Sequence, residues 1–425
     1  PVGPAGADGN DAPQIDDTTV TDSAPWSSKH IIDTLCPPLE ESGNPVQCYP
    51  VVGSKLGCTV SWEPTQEGSG EPSPENIRPI KGKDSVTVER CGENLLEFLE
   101  TNDQSSNISI VVDQQKVVTL NGTLTTKGNI TIAKCRLHWR SGKEYTMRAK
   151  KISGAVNLGV GDGITYAFSL FSEDLTHYFR GDTTTTNFNE YTATQTSIEE
   201  TELTLMLQCW REGTKFDNYK FQIEVVEGTT PPTTYSPYIG QTATLTLPTT
   251  IYGGTVDAVT GEGQETWNEI TLIDTYSWFA STNQYRTFYC VDIEKITRTT
   301  VENSENAKYW KCTHFKSGAY SYAESGNMYN TVSFQSNRKT LAIVFPGTID
   351  ELKSYLADQY TAGTPVQIAY KLAAPTPFTT TGAQPIPALS GVNTVLTDAD
   401  KLTVTGRADP IKRITDLEDA VASMT

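Results

Sequence analysis

Polar and apolar residues alternate along much of this chain, and a period of two predicts strands rather than helices. Glu202-Leu203-Thr204-Leu205-Met206-Leu207-Gln208 alternates for most of its length, and Phe221-Gln222-Ile223-Glu224-Val225 does the same. Between residues 81 and 248, further short apolar runs at 111–112, 116–120, 128–132, 145–149 and 164–170 are bounded by turn residues such as Gly, Asn and Asp. Such a series predicts an antiparallel β-sandwich over residues 81–248. A second unit over residues 249–373 adds strand-like runs at 289–293, 308–314, 331–335, 339–345 and 366–372. Inside it the period shifts. Ile349, Leu352, Leu356 and Tyr360 fall along one helical face. Thr348 stands where an N-cap belongs, Glu351 is its capping-box partner, and Gly363 follows the end. The predicted class is therefore mainly β: tandem antiparallel, jelly-roll-like sandwich modules on an elongated stalk, the second of them α+β with one helix.

The flanks break this pattern. Residues 1–10 contain Gly3-Pro4-Ala5-Gly6-Ala7-Asp8-Gly9, with glycine at every third position. Only glycine fits the axis of a triple helix, so this reads as the end of a collagen-like stalk shared by three chains. The chain starts at Pro1 without a methionine, so it is expected to be a fragment or a processed product. Residues 11–80 read as a connector, with a short helix over 25–35 ended by Pro37-Pro38 and a linker around Gly68-Ser69-Gly70-Glu71-Pro72-Ser73-Pro74. Residues 374–408 read as a Pro/Thr tether over 375–387 followed by a small hairpin over 390–406. Residues 409–425 open on Asp409-Pro410, a cap and first-turn pair, and Ile414, Leu417, Val421 and Met424 then step as an a/d seam. A short amphipathic tail fits the same spacing. Read with the glycine triplets, the seam implies a homotrimer about one axis.

Charge narrows the partners. The 425 residues hold 33 Lys and Arg against 51 Asp and Glu, a net charge of −18. Nucleic acid and anionic membrane surfaces both need a basic face, so neither is an expected partner. No apolar run approaches the roughly 20 residues of a membrane-spanning helix, and no membrane insertion is expected. The eight cysteines form no CxxC pair. Cys209 and Cys290 lie in apolar strand patterns and are expected as buried thiols. Cys36 and Cys48 bracket a Pro-rich loop and are the pair expected to bridge. Four histidines without ligand spacing to a cysteine pair argue against zinc, and no metal or other cofactor is expected.

Candidate chemistry is sparse. Glu199-Glu200 are neighbours on a strand and point to opposite faces, so they do not converge on one glycosidic bond. Asp350-Glu351 are explained by a helix N-terminus. No GxSxG elbow is present, His30, His138, His177 and His314 sit in unrelated contexts, and Gly159-Val160-Gly161-Asp162-Gly163 lacks the Lys-Ser/Thr of a phosphate loop. No catalytic residue is assigned, and the chain is not expected to be an enzyme. Glycan binding is the sharper expectation, since aromatic faces flanked by polar groups hold sugars. Trp139-Arg140 and Trp210-Arg211 each precede a Gly-containing turn at a strand end and would suit a platform of rim loops. Core packing is the commoner fate of tryptophan and stays open for both. Trp278 with Tyr320, Tyr322 and Tyr329 forms an aromatic, Ser/Gly-rich set, the composition of adaptable binding loops. Asp398-Ala399-Asp400 is an acidic turn but not a full calcium loop.

Several stretches also resemble a known group. They are Ala12-Pro13-Gln14-Ile15-Asp16-Asp17-Thr18 with Pro25-Trp26-Ser27-Ser28-Lys29, Gly70-Glu71-Pro72-Ser73-Pro74-Glu75-Asn76-Ile77-Arg78-Pro79-Ile80, and Tyr252-Gly253-Gly254-Thr255-Val256-Asp257. Residues 362–372, Leu396-Thr397-Asp398-Ala399-Asp400 and Thr405-Gly406-Arg407-Ala408-Asp409-Pro410 are similar to it too. The group is the tail fibre and minor tail proteins of Firmicutes phages and prophages. Lys143-Glu144-Tyr145-Thr146, residues 219–226 and Tyr235-Ser236-Pro237-Tyr238 resemble strands of carbohydrate-binding-module-like sandwiches in such proteins. The resemblance implies a virion tail protein assembled in the host cytoplasm: a trimeric tail-fibre or baseplate-associated adhesin presenting β modules to a bacterial surface glycan. Its partners would be itself and other tail or baseplate proteins. A structural spacer is the alternative, and a tail-borne glycan hydrolase a third reading. The resemblance names no site residues.

Overall fold

The structure, a computed structural model, describes residues 36–139, 143–160, 166–172, 177–180, 190–195, 202–230, 234–282, 287–292, 309–318, 329–334, 340–411 and 414. The chain enters through β1 (Pro38–Gly43), β2 (Val46–Cys48), β3 (Lys55–Trp62), β4 (Thr65–Gln66), β5 (Ile80–Lys81) and β6 (Lys83–Cys91). Next come β7 (Leu96–Thr101), β8 (Gln104–Ser105), β9 (Ile108–Val112), β10 (Val118–Thr123), β11 (Gly128–Leu137) and β12 (Tyr145–Asn157). They are followed by β13 (Tyr166–Phe171), β14 (His177–Arg180), β15 (Glu190–Gln195), β16 (Glu202–Cys209) and β17 (Lys215–Glu227). β18 (Gln241–Ile251), β19 (Gly253–Asp257) and β20 (Glu262–Leu272) precede β21 (Phe279–Thr282), β22 (Thr287–Asp292), β23 (Trp310–Cys312), β24 (Lys316–Ser317), β25 (Thr331–Phe334) and β26 (Thr340–Val344). The helix α1 (Ile349–Thr361) leads to β27 (Val366–Thr379), β28 (Ile386–Pro387), β29 (Asn393–Thr397) and β30 (Lys401–Arg407).

The class is as expected: mainly β, with antiparallel sheets stacked as sandwiches and one described helix of any length. The order of the modules is not. They are nested instead of consecutive. A central sandwich pairs the sheet β1-β30-β3-β19-β20-β27-β23, with β28 on β3, against the sheet β18-β6-β29-β2. Its strands come from both ends and the middle of the described chain, and β1 runs antiparallel to β30 from Pro38↔Arg407 to Gly43↔Leu402. Its core gathers Leu56, Cys58, Val60, Val86, Val88, Leu245, Val256, Val395, Leu402 and Val404. Two units are inserted. The first, β7 to β17, packs the sheet β15-β12-β17-β10-β9-β8 on the sheet β14-β13-β16-β11-β7 around a separate core that includes Leu120, Ile130, Leu207, Phe221 and Val225. The second packs the sheet β21-β22-β26-β25-β24 and α1 over β27 and β23, with Trp310, Phe315, Phe334, Leu352 and Leu356 between them.

The stretches with linker composition are therefore corrected. Residues 38–62, expected as connector, carry β1 to β3, and β3 alternates because Leu56, Cys58, Val60 and Trp62 face the central core. The Gly/Pro-rich loop between β4 and β5 is closed by two side chains, and the Asn76 amide donates to the carbonyls of Ser69 at 3.2 Å and Glu71 at 2.9 Å. The Arg78 guanidinium donates to the carbonyls of Glu67 at 2.8 Å, Gly68 at 2.9 Å and Gln66 at 3.2 Å, and also to Gly70. Its backbone N–H meets the Thr313 carbonyl at 2.8 Å, which ties the loop to the second insertion. Residues 374–408, expected as a tether and hairpin, hold the end of β27 and β28 to β30, all paired into the central sandwich. Composition marks where a chain turns, but pairing partners hundreds of residues away decide whether it packs.

The helix forms as read. The Thr348 hydroxyl accepts from the Glu351 N–H, the Glu351 carboxylate accepts from the Thr348 N–H at 2.6 Å, and Gly363 adopts φ +78° just past the end. Leu352 and Leu356 are buried, whereas Tyr360 is 61% exposed, so the apolar face stops one turn early. All eight cysteines are free thiols, which removes the expected Cys36–Cys48 bridge and leaves Cys209 and Cys290 buried as expected. At the far end the Asp409 carboxylate accepts from the Ile411 N–H at 2.9 Å, as a cap should. The collagen-like triplets, the 25–35 helix and most of the 409–425 segment lie outside the described residues.

Candidate ligand-contact tip of the inserted sandwich

The first insertion has two unlike ends. At one end its chain enters and leaves the central sandwich. There the Leu95 N–H meets the Val225 carbonyl at 2.8 Å, the His138 N–H meets the Leu95 carbonyl at 3.1 Å, and the Gly228 N–H meets the Glu144 carbonyl at 2.7 Å. At the other end three turns knit into one cap. The Leu124 and Gly213 N–H groups exchange bonds with Thr214 and Leu124, each at 2.8 Å, and the Val160 N–H reaches the Glu212 carbonyl at 3.0 Å. The Gly159 N–H donates to the Thr214 hydroxyl, also at 3.0 Å. At about 3.3 Å per residue, the ten-residue β11 sets these ends about 30 Å apart.

The two Trp-Arg pairs fall at opposite ends. β11 and β16 are antiparallel neighbours with Gly128 opposite Cys209, so the residues after each strand leave from opposite edges. Trp139 follows β11 at the junction, where it is half-buried against the inserted core and its indole N–H is buried without an acceptor among the described residues. Trp210 follows β16 at the free end and stays 39% exposed, and Val160, which pairs with Glu212 in the same cap, is 90% exposed. Arg211 is half-buried there, and its Nε–H meets no acceptor among the described residues. The expected shared platform does not exist, and only the Trp210-Arg211 half presents an aromatic face. The aromatic set of the second insertion also divides. Trp278 is 7% exposed and donates its indole N–H to the Ile273 carbonyl at 2.9 Å, which makes it core rather than contact surface. Tyr329 is 55% exposed. Tyr320, Tyr322 and Arg140 lie outside the described residues.

Polar groups concentrate at the junction instead. The His138 side chain, 1% exposed, lies between two carboxylates: Nδ1 is 3.4 Å from Glu89 of β6 and Nε2 is 3.3 Å from Glu97 of β7. The Tyr238 hydroxyl is 3.0 Å from Nε2, with the two rings stacked at 5.5 Å. Burial holds the imidazole pKa below its ordinary value, the Glu89 and Glu97 charges push the other way, and Arg136 adds to the lowering. In a neutral ring Nδ1–H donates to Glu89 and Nε2 accepts from the Tyr238 hydroxyl, whereas only the protonated ring donates to both Glu89 and Glu97. A cleft of about 310 Å³ opens beside this cluster, lined by Thr87, Glu89, Arg136, His138, Thr397 and Asp398 among others. Among the described residues no aromatic face other than the buried imidazole lines it.

The acidic turn serves the fold. Asp398 accepts from the Thr87 N–H at 2.8 Å, and Asp400 accepts from the Glu63 N–H, also at 2.8 Å. Glu351 is engaged by its capping box, and Glu199-Glu200 lie outside the described residues. Among the described residues no group of three or more His, Cys, Asp and Glu is placed to hold a metal ion. No described helix is long and apolar enough to cross a membrane. Sequence reasoning singled out His138 only as an isolated histidine. Its partners Glu89, Glu97 and Tyr238 are distant along the chain and carry no local signal. No family model, curated protein or solved structure matches the chain.

Proposed function

We propose that this chain is an adhesion protein of a phage tail, a tail-fibre or baseplate-associated component that presents β modules to a bacterial surface glycan. The observation that carries the reading is the mounting of the first insertion. Both of its connections sit at one end, and the opposite end offers the exposed Trp210 beside Arg211. A module held at its base and carrying an exposed indole at its opposite end is a display geometry, and an exposed indole next to a guanidinium matches the apolar face and hydroxyl-rich edge of a sugar. The net charge of −18 favours a dispersed particle over contact with polyanions. The glycine triplets at one end and the apolar seam at the other support assembly as a homotrimer among other tail proteins. Ile414, the first residue of that seam, is 56% exposed, and Ile411, three residues before it, is 73% exposed. The work assigned to the chain is binding rather than catalysis.

A glycan array probed with the purified chain tests this. Retention of a bacterial surface saccharide by the chain, lost in Trp210→Ala with the melting temperature unchanged, supports the adhesin. Retention of no saccharide replaces it with a structural spacer, and release of reducing ends from isolated cell walls replaces it with a hydrolase.

A further inference from the structure

Arg90 on β6 is charged, 4% exposed and almost unpaired. It lies on the inward-facing side of the strand with Val86 and Val88, in the sheet between β18 and β29. Its Nη2 donates to the Gln241 side-chain oxygen at 3.1 Å. The Gln241 amide nitrogen donates in turn to the Pro385 carbonyl at 2.9 Å, which fixes its oxygen toward Arg90. The Nε and Nη1 groups are buried and meet no acceptor among the described residues. The carboxylates of this region are engaged elsewhere: Glu89 and Glu97 both face Arg136 and His138. The ionisable neighbours acting on Arg90 supply no negative charge at neutral pH. Burial pushes the Cys91 thiol up to about 12 and the Tyr238 phenol far up.

A guanidinium does not escape burial by losing its proton, because its ordinary pKa lies too high for neutral pH to reach. Buried charges in folded proteins are paired, and a lone one is strongly destabilising. Among the described residues this interior is therefore short of one negative charge and of acceptors for Nε–H and Nη1–H.

We propose that Arg90 is the centre of an internal anion site at the end of the central sandwich, taking a small oxyanion or a carboxylate. Gln241 is its positioning residue, since it holds one edge of the guanidinium while the remaining N–H groups face the anion. Charge-assisted N–H···O bonds of this kind are short and strong. The site is distinct from the Trp210 tip and stands whether or not the chain is an adhesin.

The test is linkage on the full chain. Unfolding is followed as chloride is exchanged for phosphate, or for acetate, at constant ionic strength. The folding equilibrium constant should rise about tenfold for each tenfold rise in a bound anion above its Kd. Arg90→Met, which keeps the volume and removes the charge, should abolish that dependence. A response to phosphate alone assigns an inorganic oxyanion, and a response to acetate assigns a carboxylate group. Equal responses in wild type and Arg90→Met, or no response up to roughly 100 mM, overturn the site. If Arg90→Met does not fold, equilibrium dialysis of the wild type against labelled phosphate and labelled acetate decides: one ion bound per chain supports the site, and none rejects it.

Discussion

Arg148 and Glu224 face each other across β12 and β17 and form an ion pair, with side chains 6% and 0% exposed. The pair also anchors the returning chain, because Glu224 accepts from the Ser236 N–H at 3.2 Å and the Ser236 hydroxyl donates to Glu93 at 3.2 Å. Burial holds the Glu224 carboxyl above its ordinary pKa, while Ser236 and Arg148 pull it down. Arg148→Met leaves that carboxylate in a dry interior with one backbone donor. Removing one partner of a buried pair costs about 3–5 kcal/mol. The stranded carboxyl can reduce the loss only by taking a proton. Its pKa, already above the unfolded value in the wild type, rises further in the folded variant, so the deficit relative to wild type grows as pH is raised from 5 to 8 and shrinks toward acid. The double variant Arg148→Met/Glu224→Leu replaces both charges with apolar groups and should recover most of the loss. Urea unfolding followed by tryptophan fluorescence, with the midpoint shift multiplied by m, gives the free energies. A loss below about 1 kcal/mol in the single variant, or a double variant no better than the single, would refute the reasoning.

Other outcomes follow from named residues. The His138 pKa is depressed by burial, so the unfolded chain binds the proton first as pH falls; stability should drop below about pH 6.5 by up to about 1.4 kcal/mol per pH unit, and His138→Gln should flatten that slope in thermal melts from pH 7.5 to 5.5. His314, also buried and lowered, contributes a slope of the same sign that the His138→Gln variant retains. Arg78→Ala removes the staple of the loop between β4 and β5 and should speed Glu-specific cleavage at Glu71 and Glu75 at least about tenfold, with little change in global melting. Burial raises the Cys48, Cys58, Cys91 and Cys312 thiols to about 12, so a thiol reagent at pH 8 should label Cys36 quickly and all eight cysteines only after denaturation.

Much of the local structure was legible because its cause is local. Thr348, Glu351 and Gly363 specify α1 within 16 residues, counting 348 to 363, and the alternation at 202–208 and 221–225 marks β16 and β17. The nesting was not legible. The Ser42 and Thr403 hydroxyls meet at 2.8 Å although 361 residues separate them, and nothing in β1 announces β30. The linker reading of the loop between β4 and β5 failed because the Arg78 and Asn76 side chains supply the order that Gly and Pro withhold. The separation of Trp139 from Trp210 was available in principle. Two residues that each end one of a pair of antiparallel neighbours must lie at opposite edges, but that inference needs the pairing of β11 with β16, which composition does not give.

The two tryptophans give the most direct test of the central claim, because one is the control for the other. Adsorption of the purified chain to host cells is measured for Trp210→Ala and Trp139→Ala beside thermal melts of both. The account predicts that Trp210→Ala weakens adsorption by roughly thirtyfold, the loss expected of a contact worth about 2 kcal/mol, at unchanged melting temperature. Trp139→Ala should lower the melting temperature and leave adsorption at permissive temperature intact. Full adsorption by Trp210→Ala would contradict the account.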